Sequence, residues 1–230
     1  LGRRFDGNPD TFFLPANVGN VSPTTGRFLN DTLFLQDTSA PRNNYDAAMD
    51  VDGYYFMGDL PITAKLRAIA GARIETTDLL VASQDKTRRP GVLDLRDTLP
   101  SLNVVYELRP KMNLRAAYGR TLARPNFREM APYETFEFVG DFVYIGNPDL
   151  KRTLIDNFDL RWEWFTGPGR IVAVSAFWKN LKNPIEKAIF APTGLIINQG
   201  EIQYQNPEKG RVYGAEFEMR QKLEGLWQPL

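Results

Sequence analysis

The chain has 230 residues, with 28 Lys plus Arg balancing 28 Asp plus Glu, and it contains neither cysteine nor histidine. Zero net charge gives no electrostatic case for nucleic acid. The two missing residue types exclude disulfides, thiolate metal sites, and every mechanism that needs a histidine base or ligand. No segment approaches the ~20 consecutive apolar residues of a spanning helix; the longest apolar run, Ile171 to Trp178, is broken by Ser175.

Residues 1–45 are dense in Gly, Pro, Asn, Thr and Asp, and read as an irregular, loop-like segment. Residues 46–230 follow a different plan of strand, short turn, strand and long loop. The region from Asp52 to Leu60 reads as a strand with apolar residues on both faces at Tyr54–Met57. In the next strand Leu66, Ala68, Ala70, Ala72 and Ile74 alternate with Arg67, Ile69, Gly71, Arg73 and Glu75. The same period of two sets Leu102, Val104, Tyr106 and Leu108 against Asn103, Val105, Glu107 and Arg109, and then Leu114, Ala116 and Tyr118 against Asn113, Arg115 and Ala117. Phe158, Leu160, Trp162 and Trp164 oppose Asn157, Asp159, Arg161 and Glu163. A Gly167-Pro168-Gly169 turn follows, and the β-branched return strand places Val172, Val174, Ala176 and Trp178 on one face. Tyr213, Ala215, Phe217 and Met219 complete the series. The spacing predicts an all-β, antiparallel meander of about seven strands, each near the ~10 residues a tilted membrane strand needs.

The connections alternate in length. Short ones fall near Pro61–Lys65, Arg109–Met112 and Thr166–Arg170, and long ones near Ser83–Leu99, Ala123–Arg152 and Leu181–Gly210. Such sorting is expected of an outer-membrane barrel, with short periplasmic turns and long extracellular loops. Trp162, Trp164, Tyr118 and Trp178 near strand ends fit interfacial girdles. A soluble all-β carbohydrate-binding module is the competing reading, and it requires the aromatic faces to pack on each other.

"LRAAYGRTLARPNFREMAPYETFEF" (Leu114 to Phe138), "GNPDLKRTLIDNFDLRWEWF", "VSAFWKNLKNPIE" and "YGAEFEMRQKL" together resemble the C-terminal barrel region of TonB-dependent outer-membrane receptors. The resemblance rests on an R-x-x-x-R-P stretch at Arg120–Pro125, a G-N-P-x-L segment at Gly146–Leu150, an aromatic-Lys-Asn sequence at Trp178–Asn180, and G-x-E-x-E from Gly214 to Glu218. It implies part of a 22-stranded transmembrane β-barrel. By that resemblance the parent takes up a scarce nutrient, such as an iron chelate or an oligosaccharide, in the outer membrane of a Gram-negative bacterium. It captures the nutrient in its loops and displaces a plug through a TonB-type energy transducer. The plug, the TonB box and the final strand are not visible, and both ends read as cuts in a longer protein. The implied partners are outer-membrane lipid, a small nutrient ligand and the transducer. No cofactor, covalent chemistry or nucleic acid is implied.

The loop from Ala123 to Arg152 is the candidate binding element, because arginine and aromatic residues on a loop held by a rigid scaffold are preferred contact groups. Its candidate ligand-binding residues are Arg124, Asn126, Arg128, Glu129, Tyr133 and Phe136. The opposing expectation is that Arg120, Arg124 and Arg128 pair with Glu129 and neighbouring loops, or with anionic outer-leaflet lipid. Glu216 and Glu218 on one strand face raise a carboxylate glycosidase, but alternating charges on a strand are expected to form a wall of cross-strand ion pairs. Asp50 and Asp52 are too few for a calcium loop.

Overall fold

The computed structural model describes residues 24–25, 44–135, 142–190 and 201–222. The chain divides into two compact units, Leu1–Ala40 and Pro41–Leu230; of the first, only the turn at 24–25 is described. The expectation of an irregular segment over residues 1–45 therefore falls almost wholly outside the described residues, as do Phe136 and Phe138.

Seven long strands form one antiparallel sheet: β1 (Tyr45–Thr63), β2 (Leu66–Ser83), β3 (Gly91–Arg109), β4 (Met112–Ala123), β7 (Thr153–Gly167), β8 (Arg170–Lys182) and β11 (Lys209–Arg220). They follow one another in the order β1-β2-β3-β4-β7-β8-β11, a plain meander. A helical turn, α1 (Phe127–Met130), and the short strands β5 (Glu134–Thr135) and β6 (Val143–Ile145) lie between β4 and β7. β9 (Glu186–Phe190) and β10 (Glu201–Gln205) lie between β8 and β11. These four short strands make a second sheet, β5-β6-β10-β9, in which β10 runs parallel to β6.

Turn chemistry explains the tight end of the sheet. The β3–β4 and β7–β8 hairpins each place a proline first (Pro110, Pro168) and a positive-φ residue second, Lys111 at 66° and Gly169 at 69°. A proline followed by a left-handed residue is the pattern of a type II turn.

Register sorts the side chains as the alternation predicts. Tyr118, Phe158, Trp178 and Tyr213 stand directly opposite one another across β4, β7, β8 and β11. The Tyr118 and Phe158 rings lie 5.1 Å apart, as do Trp178 and Tyr213, the latter pair stacked. Below this row the same face carries Leu160, Trp164, Val174, Phe217 and Met219, all exposed. Tyr54 is 75% and Phe217 69% exposed, and no described segment packs over this face. Among the described residues the aromatic faces therefore do not bury one another, as the competing soluble sandwich would require.

The opposite face is polar in its lower half. Arg115 pairs with Glu163, Arg161 bridges Glu163 (3.2 Å) and Glu218 (2.7 Å), and Arg220 meets Glu218 at 2.6 Å. The Glu218 carboxylate thus belongs to a cross-strand ion ladder rather than to an acid–base pair with Glu216.

One connection is corrected. The stretch expected as a long loop from Ser83 to Leu99 is a link of residues 84–90 followed by strand from Gly91. Leu93, Leu95 and Asp97 face inward while Val92, Asp94 and Arg96 face out, an alternation masked by charges and by Pro90 and Pro100. Pro100 sits where β3 no longer has β4 beside it, since that pairing begins at Ser101; a strand proline is tolerated at such an edge.

Candidate functional site

The long-loop end of the sheet holds the only cluster of large, fully buried apolar side chains among the described residues. Met130, Ala131 and Leu150 from the β4–β7 connection pack against Leu79, Val81 and Leu93 of β2 and β3, with Tyr45, Leu95, Phe127, Tyr133, Ile185 and Tyr204 around them. Full burial of a side chain such as Met130 or Leu150 contributes roughly 1.5–3 kcal/mol, so this connection is folded down onto the polar-face side of β2 and β3.

Arginines fasten its edges. Arg124 donates through Nε to Thr77 Oγ1 at 2.9 Å and through Nη2 to Glu75. Arg152 grips the buried Asp97 carboxylate at 2.6–2.7 Å from Nε. Arg88 donates to the Pro132 carbonyl (3.2 Å) and to Glu134. Arg120 donates to both oxygens of Asp156, which also accepts from the Tyr118 hydroxyl at 2.8 Å. The first and last arginines of the R-x-x-x-R motif thus find carboxylates on β7, beside β4, and on β2, two strands away, rather than on Glu129.

The G-N-P segment is equally explicable. A Cβ on Gly146 would lie 1.9 Å from the Ala131 carbonyl oxygen, so only glycine allows the two backbones to approach. Asn147 donates its backbone N–H to Glu129 O (2.7 Å) and its amide to Tyr204 O (2.9 Å), and accepts from the Asp149 N–H (3.0 Å). Across the next connection, Asn206 accepts from Lys151 N–H at 2.7 Å and donates to the carbonyls of Lys151 and Asn183. These asparagines tie the two long connections together.

Between them is a cavity of about 230 Å³, lined by Asn126, Arg128, Glu129, Tyr133, Tyr144 and Lys187, with Thr135, Ile145, Gly146, Ile202 and Tyr204 completing it. Asn126 caps α1 by accepting from Glu129 N–H, while Glu129 accepts in return from Asn126 N–H, both at 2.9 Å. Their polar groups are therefore held by this capping box. Arg128 is exposed at the rim. Lys187 Nζ stands 5.0 Å from the centre of the Tyr144 ring, a cation–π distance. Two cations and three tyrosines thus converge, a set suited to an anionic ligand with a flat, unsaturated part.

Of the sequence-predicted residues, Asn126, Arg128, Glu129 and Tyr133 come together here, Arg124 is turned away to Glu75 and Thr77, and Phe136 lies outside the described residues. Sequence reasoning did not single out Tyr144, Lys187, Ile202 or Tyr204. For the last three the signal was the short alternation Ile202–Tyr204 and the Lys187–Ile189 pattern, hidden inside what read as one loop from Leu181 to Gly210, and Tyr144 lies in the three-residue strand β6 within the other. No group of three or more Asp or Glu able to hold a metal ion occurs among the described residues.

Residues 2–230 match the family described as TonB dependent receptor-like, beta-barrel. The chain belongs to that family. It is similar in fold to the ferric enterobactin receptor PfeA of Pseudomonas aeruginosa, at 20% identity and a TM-score of 0.55 over 74% of this chain and 24% of that one. It is similar also to the hemophore receptor HasR of Serratia marcescens (17% identity, TM-score 0.58, 74% of this chain and 31% of that one). The siderophore receptor PirA of Acinetobacter baumannii matches at 17% identity and a TM-score of 0.53, over 74% of this chain and 25% of that one. The chain therefore spans between about a quarter and a third of the length of these structures. A comparison with curated protein sequences finds no match. The seven-stranded meander is a partial TonB-dependent receptor barrel, and its edge strands β1 and β11 are not joined to each other.

Proposed function

We propose that this chain forms part of the wall and two of the ligand-capturing loops of an outer-membrane transporter for a scarce nutrient. Its apolar, aromatic face meets lipid, its charged face lines the lumen, and the two-residue turns lie on the periplasmic side. The cavity framed by Arg128, Tyr133, Tyr144 and Lys187 captures the nutrient outside. An energy-transducing partner of the TonB type then displaces a plug so that the nutrient passes along the charged wall. One observation carries the reading: four residues chosen from the sequence as ligand contacts line a single polar–aromatic cavity, anchored by a buried core at the long-loop end. The cation and tyrosine content favours an iron chelate or another anionic nutrient over a neutral oligosaccharide.

The test is uptake by the full-length receptor in an iron-limited Gram-negative host, with ferric enterobactin and heme as probes. An Arg128→Glu, Lys187→Glu double variant is expected to lose at least about tenfold in apparent affinity for the transported probe, because two attractions become repulsions. Surface expression should be unchanged. Uptake equal to wild type for every probe carried would show that the cavity does not capture the nutrient.

A further inference from the structure

Three basic side chains gather on the lipid-facing side of β8 and β11, just above the stacked Trp178–Tyr213 pair. Lys182 and Lys209 are directly opposed in register, and Arg211 faces Asn180 one position nearer the aromatic pair. All three are exposed. Like charges placed opposite each other on a sheet repel, so a Lys–Lys pair at this position costs stability unless an anion lies between the ammonium groups. The protein supplies little of that charge, since Asp156, in register with Asn180 on the same face, is already bound by Arg120 and the Tyr118 hydroxyl. Glu208 approaches Lys209 at 3.5 Å, but both side chains are largely in solvent (85% and 75% exposed), where such a contact contributes little. Asn180 is engaged by the Trp178 Nε1–H at 2.9 Å.

A second feature of the same face lies on the other side of the aromatic row. The small side chains Ala116 and Ala176 flank Leu160 beneath Tyr118, Phe158 and Trp178, and leave an open apolar groove of about 520 Å³ across β3 to β8. Along one strand, cations, an aromatic ring and an apolar groove follow in that order: Lys182, Trp178 and Ala176. This is the order of a lipid molecule itself: headgroup, interfacial region, chain.

We propose that Lys182, Lys209 and Arg211 hold the phosphate of an anionic lipid whose acyl chain lies in the groove over Ala116 and Ala176. Bound phosphate relieves the Lys182–Lys209 repulsion, and the chain fills the depression that the alanines leave between larger side chains. The site is distinct from the loop cavity, on the opposite face of the sheet. It rests on the outward orientation of the aromatic face given under the proposed function.

The full-length receptor, placed in nanodiscs of phosphatidylcholine alone or mixed with phosphatidylglycerol and then released for native mass spectrometry, provides the test. Phosphatidylglycerol is expected to stay bound to the wild-type receptor where phosphatidylcholine does not. Replacing all three cations (Lys182→Gln, Lys209→Gln, Arg211→Gln) should weaken that binding on the order of a hundredfold. A Lys182→Arg, Lys209→Arg variant, which keeps the charge, should retain it. Ala176→Trp, which fills the groove, should weaken phosphatidylglycerol binding. Equal retention of the two lipids, or undiminished phosphatidylglycerol on the triple-glutamine receptor, would overturn the proposal. So would full displacement by inorganic phosphate with no effect of Ala176→Trp, which would mark a free-anion site instead. Nutrient uptake should persist in the triple-glutamine variant, so a failure here leaves the loop cavity to be judged by its own test.

Discussion

Arg124 shows how a side chain expected to meet a ligand can instead anchor its loop to the sheet. Its type and its place at the mouth of a long loop suit ligand contact, yet its guanidinium is consumed by Glu75 and Thr77 of β2. Glu75 is largely buried, at 12% exposed, and accepts also from Arg73 at 2.5 Å. Arg124→Ala leaves that carboxylate with one cation and strands the Thr77 hydroxyl, a loss of about 1–3 kcal/mol. The expected result is faster tryptic cleavage within residues 126–152 of the folded receptor, while the barrel itself stays intact. Cleavage at the wild-type rate would mean that the arginine does not anchor the loop. Arg128, by contrast, is exposed at the rim of the loop cavity, and its role as a ligand contact belongs to the proposal. The partner of Arg124 sits 49 positions away in the chain, and no local pattern announces it.

At the level of elements, alternation carried the main sheet and turn chemistry carried its short end. Asn157–Trp164 kept its period of two in β7, and the Gly-Pro-Gly stretch became a two-residue connection. Gly169 is needed for its positive φ, and a Cβ there would also lie 3.0 Å from Lys222 Cε. Gly169→Ala is therefore expected to destabilise the hairpin by about 1 kcal/mol or more, read as a lower denaturant midpoint for the barrel refolded in detergent. An unchanged midpoint would mean the turn relaxes to another type. The alternation failed where strands are short or interrupted. Leu93 and Leu95 were hidden behind prolines, and β5, β6, β9 and β10 are too brief for a period of two to stand out. Their stability comes from pairing across connections, including a parallel pair between Val143–Ile145 and Glu201–Gln203. In the R-x-x-x-R-P and G-N-P segments, Arg120 and Arg124 pair with carboxylates, Gly146 allows a close backbone approach, and Asn147 closes a loop.

For the molecule as a whole, the two faces of one sheet meet two different environments, and adjacent residues test which is which. Ser175 faces the charged ladder, where Arg161 donates to its hydroxyl at 3.0 Å, and Ala176 faces the groove. Ala176→Lys places a charge in the apolar band and should cost roughly 2–4 kcal/mol. Ser175→Lys, one residue away, should cost well under half of that in the aqueous lumen. Equilibrium unfolding of both variants in lipid vesicles provides the comparison, and equal costs would refute the assignment of faces. Among the described residues the meander leaves β1 and β11 each with a strand on one side only, and in a membrane the groups of such an edge are satisfied by further strands. A sheet of this kind acquires its stability as part of a closed wall.

The sequence by itself determined the class of the fold, the number of long strands, the end at which the chain turns tightly, and which side chains share a face. All of these depend on residues within a few positions of one another: a period of two, a proline before a left-handed residue, an aromatic at a strand end. Tertiary structure alone decided which residues of the loops are anchors and which line the cavity between the connections. Arg124 with Glu75, Arg152 with Asp97, and Asn147 with the Tyr204 carbonyl each join groups about 50 or more positions apart. The opposition of Lys182 to Lys209 is likewise set by the pairing of two strands across a long connection. Such pairings are chosen by the packing of whole connections onto the sheet, and only the folded chain brings their members within reach of each other.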